Sequence, residues 1–85
     1  MNATEQLKQD LKTGKPIYGR EVTLKMLKQG TLKKVYLAKN SPDKQTVTSH
    51  ANQARTEVIL LEEDNVKLGI LCKKPFPVSI LSFPQ

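Results

Sequence analysis

Gly19, Arg20 and Glu21, with Lys25 a little further on, are the residues of this 85-residue chain best placed to do chemistry. Gly19 permits the backbone angles of a tight strand-to-helix turn. The helix that starts after it leaves its first N–H groups without intrahelical partners, and such groups attract anions such as phosphate. Arg20 stands in that first turn, where the helix dipole disfavours a cation, so its role lies outside helix stability. Glu21 and Lys25 have the spacing of a helix ion pair. They can satisfy one another, or Lys25 can meet an external phosphate. The chemistry these residues offer is the recognition of an anion.

Catalysis finds little support. A metal site lacks ligands, because the chain has one histidine, His50, and one cysteine, Cys72, far apart in sequence. Ser41, Ser49, Ser79 and Ser82 lie in no nucleophile-elbow pattern, and there is no glycine-rich phosphate loop. Glu62-Glu63-Asp64 could attract a cation but is better placed to cap the following helix. His50 reads as a half-buried helix residue and Cys72 as inert packing at a helix end. The expectation is a binding protein with no cofactor.

The 14 Lys/Arg and 8 Asp/Glu residues give a formal charge of +6. Residues 1–44 carry ten basic against four acidic side chains, and residues 45–85 carry four of each. A basic half on a small domain favours a polyanion, nucleic acid first and an acidic membrane surface second. A lone cysteine fits a reducing, intracellular setting. No apolar run approaches the roughly 20 residues of a membrane span. Glu5, Lys8, Asp10 and Lys12 interrupt any signal-peptide block.

The elements that must position the turn follow from local signals. Asn2 with Glu5 forms an approximate capping box for a surface helix carrying Leu7 and Leu11, ended by Gly14. Lys15-Pro16-Ile17-Tyr18 is a brief strand, and Pro16 makes it a strand start or an edge. The helix after Gly19 has an apolar side of Val22, Leu24, Met26 and Leu27 and stops at Gly30, a left-handed cap. Val35-Tyr36-Leu37-Ala38 is a buried strand, with Lys33-Lys34 as its entry, solvated or touching distant RNA. Ser41 caps the next helix, Pro42 takes its first position, and Asp43 suits its positive end. Val47, Ala51 and Ala54 form that helix's narrow stripe. Glu57-Val58-Ile59-Leu60-Leu61 reads as the strongest strand. Asp64 or Asn65 then caps a short helix largely buried through Val66, Leu68, Ile70 and Leu71. Val78 to Phe83 is the final strand. Helices alternating with strands build a three-layer α/β/α sandwich, expected as one domain over residues 1–85.

In this order the chain resembles the kink-turn RNA-binding superfamily. Gly19 and Gly30, with Thr23-Leu24-Lys25-Met26 and Gln29 between them, look like its first signature. Val35-Tyr36-Leu37-Ala38-Lys39-Asn40-Ser41-Pro42 is similar to its hydrophobic strand and Ala-x-Asn-x-Pro. Asn65-Val66-Lys67-Leu68-Gly69 resembles its Asn-x-Glu-Leu-Gly. Cys72-Lys73-Lys74-Pro75-Phe76 and Val78-Ser79-Ile80-Leu81 resemble its Cys-Gly-Lys-x-Phe loop and last strand. The branch most similar is large-subunit ribosomal protein thirty of archaea and eukaryotes.

The resemblance implies a four-stranded mixed sheet and the binding of a sharply bent RNA, a kink-turn or a related motif, beside other ribosomal components. It implies an RNA site of Gly19, Arg20, Glu21 and Lys25; Asn40; and Lys73, Lys74, Pro75 and Phe76. In that site Asn40 would pair with a base edge and Phe76 would stack on a splayed base. From local sequence alone, Asn40 is equally a turn former, and Phe76 is equally a core residue. Glu21, Val22 and Lys73 depart from the family, which commonly has Lys or Asn, a polar or charged residue, and Gly at these positions. The alternatives are a kink-turn protein of a small RNA-modifying ribonucleoprotein and a protein–protein adaptor on the same fold. The free protein is expected to be a monomer.

Overall fold

The computed structural model describes residues 2–85; Met1, the first residue of the expected domain, lies outside the described residues. Its elements run α1 (Ala3–Thr13), β1 (Ile17–Tyr18), α2 (Arg20–Gln29), β2 (Leu32–Leu37), α3 (Lys44–Ala54), β3 (Glu57–Leu60), α4 (Asn65–Leu71) and β4 (Ile80–Pro84). Most boundaries have a local cause. The Asn2 side chain accepts from the Glu5 N–H at 2.8 Å and so starts α1. Gly14 N–H donates to Asp10 O and ends it. Gly30, at φ 70°, closes α2 in the left-handed conformation. Asp64 caps α4 by accepting from Lys67 N–H.

The sheet order is β1-β4-β2-β3. β4 runs antiparallel to both β1 and β2, and β2 runs parallel to β3. Three strands therefore point one way, with β4 inserted against them. The C-terminal ends of β1, β2 and β3 and the start of β4 all lie at one end of the sheet.

Alternation along the central strands feeds two cores. Tyr36, Ala38, Leu81 and Phe83 face α1 and α4, where Leu7, Leu68 and Cys72 meet them. Val35, Leu37 and Ile80 face α2 and α3, where Leu27, Val47 and Ala51 meet them. This is the expected three-layer sandwich around a mixed four-stranded sheet. The fully buried Tyr36 ring meets Phe83 edge-on, with centroids 5.8 Å apart, a pairing worth about 1 kcal/mol beyond its burial.

Several expectations need correction. α3 starts at Lys44 with Asp43 in the cap position, not with a Ser41 cap and Pro42 as first residue. Ser41 is buried, and its hydroxyl accepts instead from the Asp43 N–H. The run from Glu57 forms the sheet edge, because β4 occupies the centre, and Leu60 is left exposed. In α2 the buried stripe is Thr23 and Leu27, with Leu24 and Met26 at its margins, while Val22 is exposed. Thr23 is accommodated because its hydroxyl pairs with that of Ser82 at 3.1 Å.

Lys34 is a buried member of β2 and not a solvated strand start. Its Nζ donates to Asp10 Oδ2 at 3.0 Å, and the Tyr36 hydroxyl donates to the same oxygen. Between Leu32 and Lys34 the register with β4 shifts, so Lys33 is the extra residue of a bulge. α4 buries Leu68 and Gly69 alone, and Val66 and Ile70 are exposed. A seven-residue helix has room for one buried stripe, and Leu68 takes it.

Candidate nucleic-acid interface

Gly19 adopts φ 115° and ψ 148°, a region that side chains rarely tolerate. It carries the chain from β1 into α2 without a side-chain cap, so the first N–H groups of α2 stay available. Arg20 Nε donates to Asp43 Oδ1 at 2.6 Å. The Asp43 side chain is 12 % exposed and that of Arg20 is 53 % exposed. The pair ties the glycine turn to the loop between β2 and α3, and at this exposure contributes up to about 1 kcal/mol. It uses one of the five guanidinium donors.

Asn40 lies in that same loop. Its amide donates to Asn65 Oδ1 at 3.0 Å, and its carbonyl oxygen accepts from the Asn65 backbone N–H at 2.9 Å. Asn40 thus fastens the loop to the start of α4, and one amide hydrogen and one lone pair remain to spare.

The third segment is the loop from α4 to β4. Lys73, at φ 58°, and Lys74 return their N–H groups to Ile70 O and Gly69 O, each at 3.0 Å. This is a Schellman closure in which a left-handed residue follows the helix. Lys73 therefore occupies the conformation that glycine fills most easily. Beyond it the loop lies directly against α4. A Cβ on Gly69 would come within 2.3 Å of the Phe76 carbonyl oxygen. Phe76 is 50 % exposed, which settles it as a loop residue and not a core one.

Gly19, Arg20, Phe76, Pro77, Ser79 and Tyr18 line one groove of about 300 Å³. The Lys74 ammonium sits 4.7 Å from the centre of the Tyr18 ring. Burial and the neighbouring Cys72 side chain push the Tyr18 phenol up to about 12, so its hydroxyl stays protonated. Burial likewise pushes the Cys72 thiol up, against the opposing influence of Tyr18 and Lys74, which fits packing and not reactivity.

Of the expected site residues, Gly19, Arg20 and Phe76 share this groove. Asn40 joins the same end of the sheet through its neighbour Asp43 and through Asn65. Lys74 and Pro75 border a smaller depression that also contains Phe76, Val66 and Ile70. Glu21 and Lys25 are exposed on α2 and form no ion pair with each other among the described residues. Lys73 is exposed and faces a different groove.

Sequence reasoning misses Tyr18, Asp43 and Asn65 as parts of this site. Only Arg20, a cation badly placed for its own helix, hints that an acid elsewhere receives it. Asp10 belongs to the opposite end. Burial pushes its carboxyl up, but hydrogen bonds from Tyr36 and Lys34 and the charges of Lys34 and Lys33 outweigh this and hold it below the ordinary value.

Comparison with known proteins bears on this arrangement. A family model described as ribosomal protein L7Ae/L30e/S12e/Gadd45 matches residues 1–84. The large ribosomal subunit protein eL30 of Archaeoglobus fulgidus is 33 % identical over 79 residues, covering 93 % of this chain and 90 % of that protein. Its counterpart in Branchiostoma belcheri is 36 % identical over 74 residues, covering 85 % of this chain; the chain spans 65 % of that relative's length. Among solved structures, a protein of unknown function from Bacillus halodurans C superposes with a TM-score of 0.80 at 14 % identity, over 96 % of this chain and 83 % of that one. A 15.5kD RNA binding protein from Giardia lamblia gives 0.76 at 15 % identity, over 96 % and 70 %. At such identities the two structures speak for the fold alone.

Proposed function

The chain belongs to the ribosomal protein L7Ae/L30e/S12e/Gadd45 family, and from that membership we propose that it is an RNA-binding protein of the large ribosomal subunit that holds a sharply bent RNA. The observation that carries the proposal is the groove shared by Gly19, Arg20 and Phe76, with Asn40 fastened to the same end of the sheet. The free N–H groups of α2 and Lys25 meet phosphates, which fix the position of the RNA and supply salt-sensitive affinity. Gly19 lets the backbone approach closely. Phe76 stacks on a base turned out of the helix, and the spare amide hydrogen of Asn40 meets a base edge.

The mechanism is selection of one RNA conformation. A bent kink-turn makes contacts with all three segments that a straight duplex cannot make, so binding shifts the RNA toward the bent form. The role is structural and involves no chemical step. On this reading the single domain works on the ribosome, in the cytoplasm, and is a monomer when free. A kink-turn protein of a small ribonucleoprotein would use the same surface.

The test is a titration of a kink-turn RNA and a straight duplex at several salt concentrations. The bent RNA binds more tightly, and its log–log salt slope is roughly −3 to −6 for about four to seven phosphate contacts. Equal binding to both, or none to either, rejects the proposal. A flat salt slope favours the second reading, a protein–protein adaptor. One observation supports that alternative: Val22, Val66, Ile70 and Phe76 are large apolar side chains left exposed.

A further inference from the structure

A second groove, of about 480 Å³, lies on the α1 and α4 side of the sheet. The half-buried Leu11 and Leu71 form its floor, and the exposed Lys8, Lys12 and Lys73 stand around it. Lys8 and Lys12 are one helical turn apart, so their Cβ atoms are separated by about 6 Å, comparable with successive phosphates along a nucleic-acid strand. None of the three lysines is in an ion pair among the described residues. Of the two acids in α1, Asp10 is committed to Lys34 and Tyr36, and Glu5 is exposed in the first turn.

Tyr18 lines this groove and also the groove of Gly19 and Phe76, so the two adjoin at its side chain. Lys74, over the Tyr18 ring, stands at the boundary. We infer that the second groove holds a single-stranded segment of RNA, which passes from the first groove across Tyr18 with bases against Leu11 and Leu71 and phosphates at Lys8, Lys12 and Lys73. The path of the strand rests on the RNA reading of the first groove. An apolar floor inside a cationic rim matches a chain that carries flat bases beside regularly spaced charges. A polyglutamate chain has the charges but offers no apolar surface to the floor.

The experiment titrates fluorescein-labelled decauridylate into the wild type, the Lys8→Gln/Lys12→Gln double variant and Lys25→Ala, beside a kink-turn duplex without single-stranded extensions. The double variant should bind decauridylate roughly tenfold more weakly at low salt, with a salt slope shallower by about 1.4 for two lost single-strand contacts. Its thermal midpoint and its affinity for the kink-turn duplex should stay at the wild-type level. Lys25→Ala should lose affinity for the kink-turn duplex and keep it for decauridylate. Undiminished decauridylate binding by the double variant, no decauridylate binding by the wild type, or equal displacement by decaglutamate overturns the inference. If the kink-turn duplex fails to bind while decauridylate depends on Lys8 and Lys12, the first groove has been misread and the second stands as a single-strand site.

Discussion

At the end of the sheet where β2 begins, Asp10 accepts from Lys34 and Tyr36, and the Lys34 side chain is 11 % exposed. At the end where β2 stops, Asp43 accepts from Arg20, whose side chain is 53 % exposed. The first acid, its side chain 24 % exposed, takes two donors from β2 and ties α1 to the sheet. The second anchors a cation whose side chain is half exposed, beside an exposed Phe76 and a Gly19 at φ 115°. One end of the molecule satisfies its polar groups for stability. The other holds side chains in place and leaves part of their bonding capacity unused.

The largest effect expected on this comparison comes from the α4 buttress. Gly69→Ala places a Cβ against the Phe76 carbonyl and should destabilise the fold by about 3 kcal/mol. Denaturant unfolding measures this, and an affinity for bent RNA that survives in the folded fraction would uncouple the loop from binding.

Asp10→Asn acts at the other end. It leaves Lys34 without its counter-charge and should cost about 2 kcal/mol near neutral pH, with RNA affinity unchanged. The sign of its pH dependence follows from the lowered carboxyl. The stabilisation is present above the ordinary value of 3.8 and is lost as pH falls below it through the folded value. Acid unfolding of the variant should therefore be shallower than that of the wild type.

Phe76→Ala should weaken binding of bent RNA by about 1–3 kcal/mol, and Lys25→Ala by about 1 kcal/mol, both with little change in melting temperature. A stability loss without a binding loss in either would erase the distinction between the two ends. The smallest effect is a gain. Lys73→Gly relieves a left-handed lysine and should stabilise the fold by about 0.5–1 kcal/mol, read as a higher thermal midpoint.

Much of this was legible because its causes are local. The Asn2 cap, the Gly19 turn, the Gly30 stop and the alternation of helices with strands are written in neighbouring residues. What lay outside local signals was pairing across the fold. Arg20 meets Asp43 23 residues away, and Asn40 meets Asn65 25 residues away. The insertion of β4 into the middle of the sheet is equally non-local. It sends the apolar run at Glu57 to an edge and leaves Leu60 exposed. Val22, Val66 and Ile70 have apolar spacing but no surface to pack on. For the candidate site, the family motifs pointed to segments that the fold gathers at one end of the sheet. They did not show that Asn40 is already half committed or that Tyr18 lines two grooves.

Mapping backbone amide chemical shifts while a kink-turn RNA is added tests the central claim most directly. The account predicts that residues 19–25, Asn40 and residues 73–76 shift together, while Asp10, Lys33 and Lys34 stay in place. Shifts centred on Asp10 and Lys34, or spread evenly over both ends of the sheet, would contradict it.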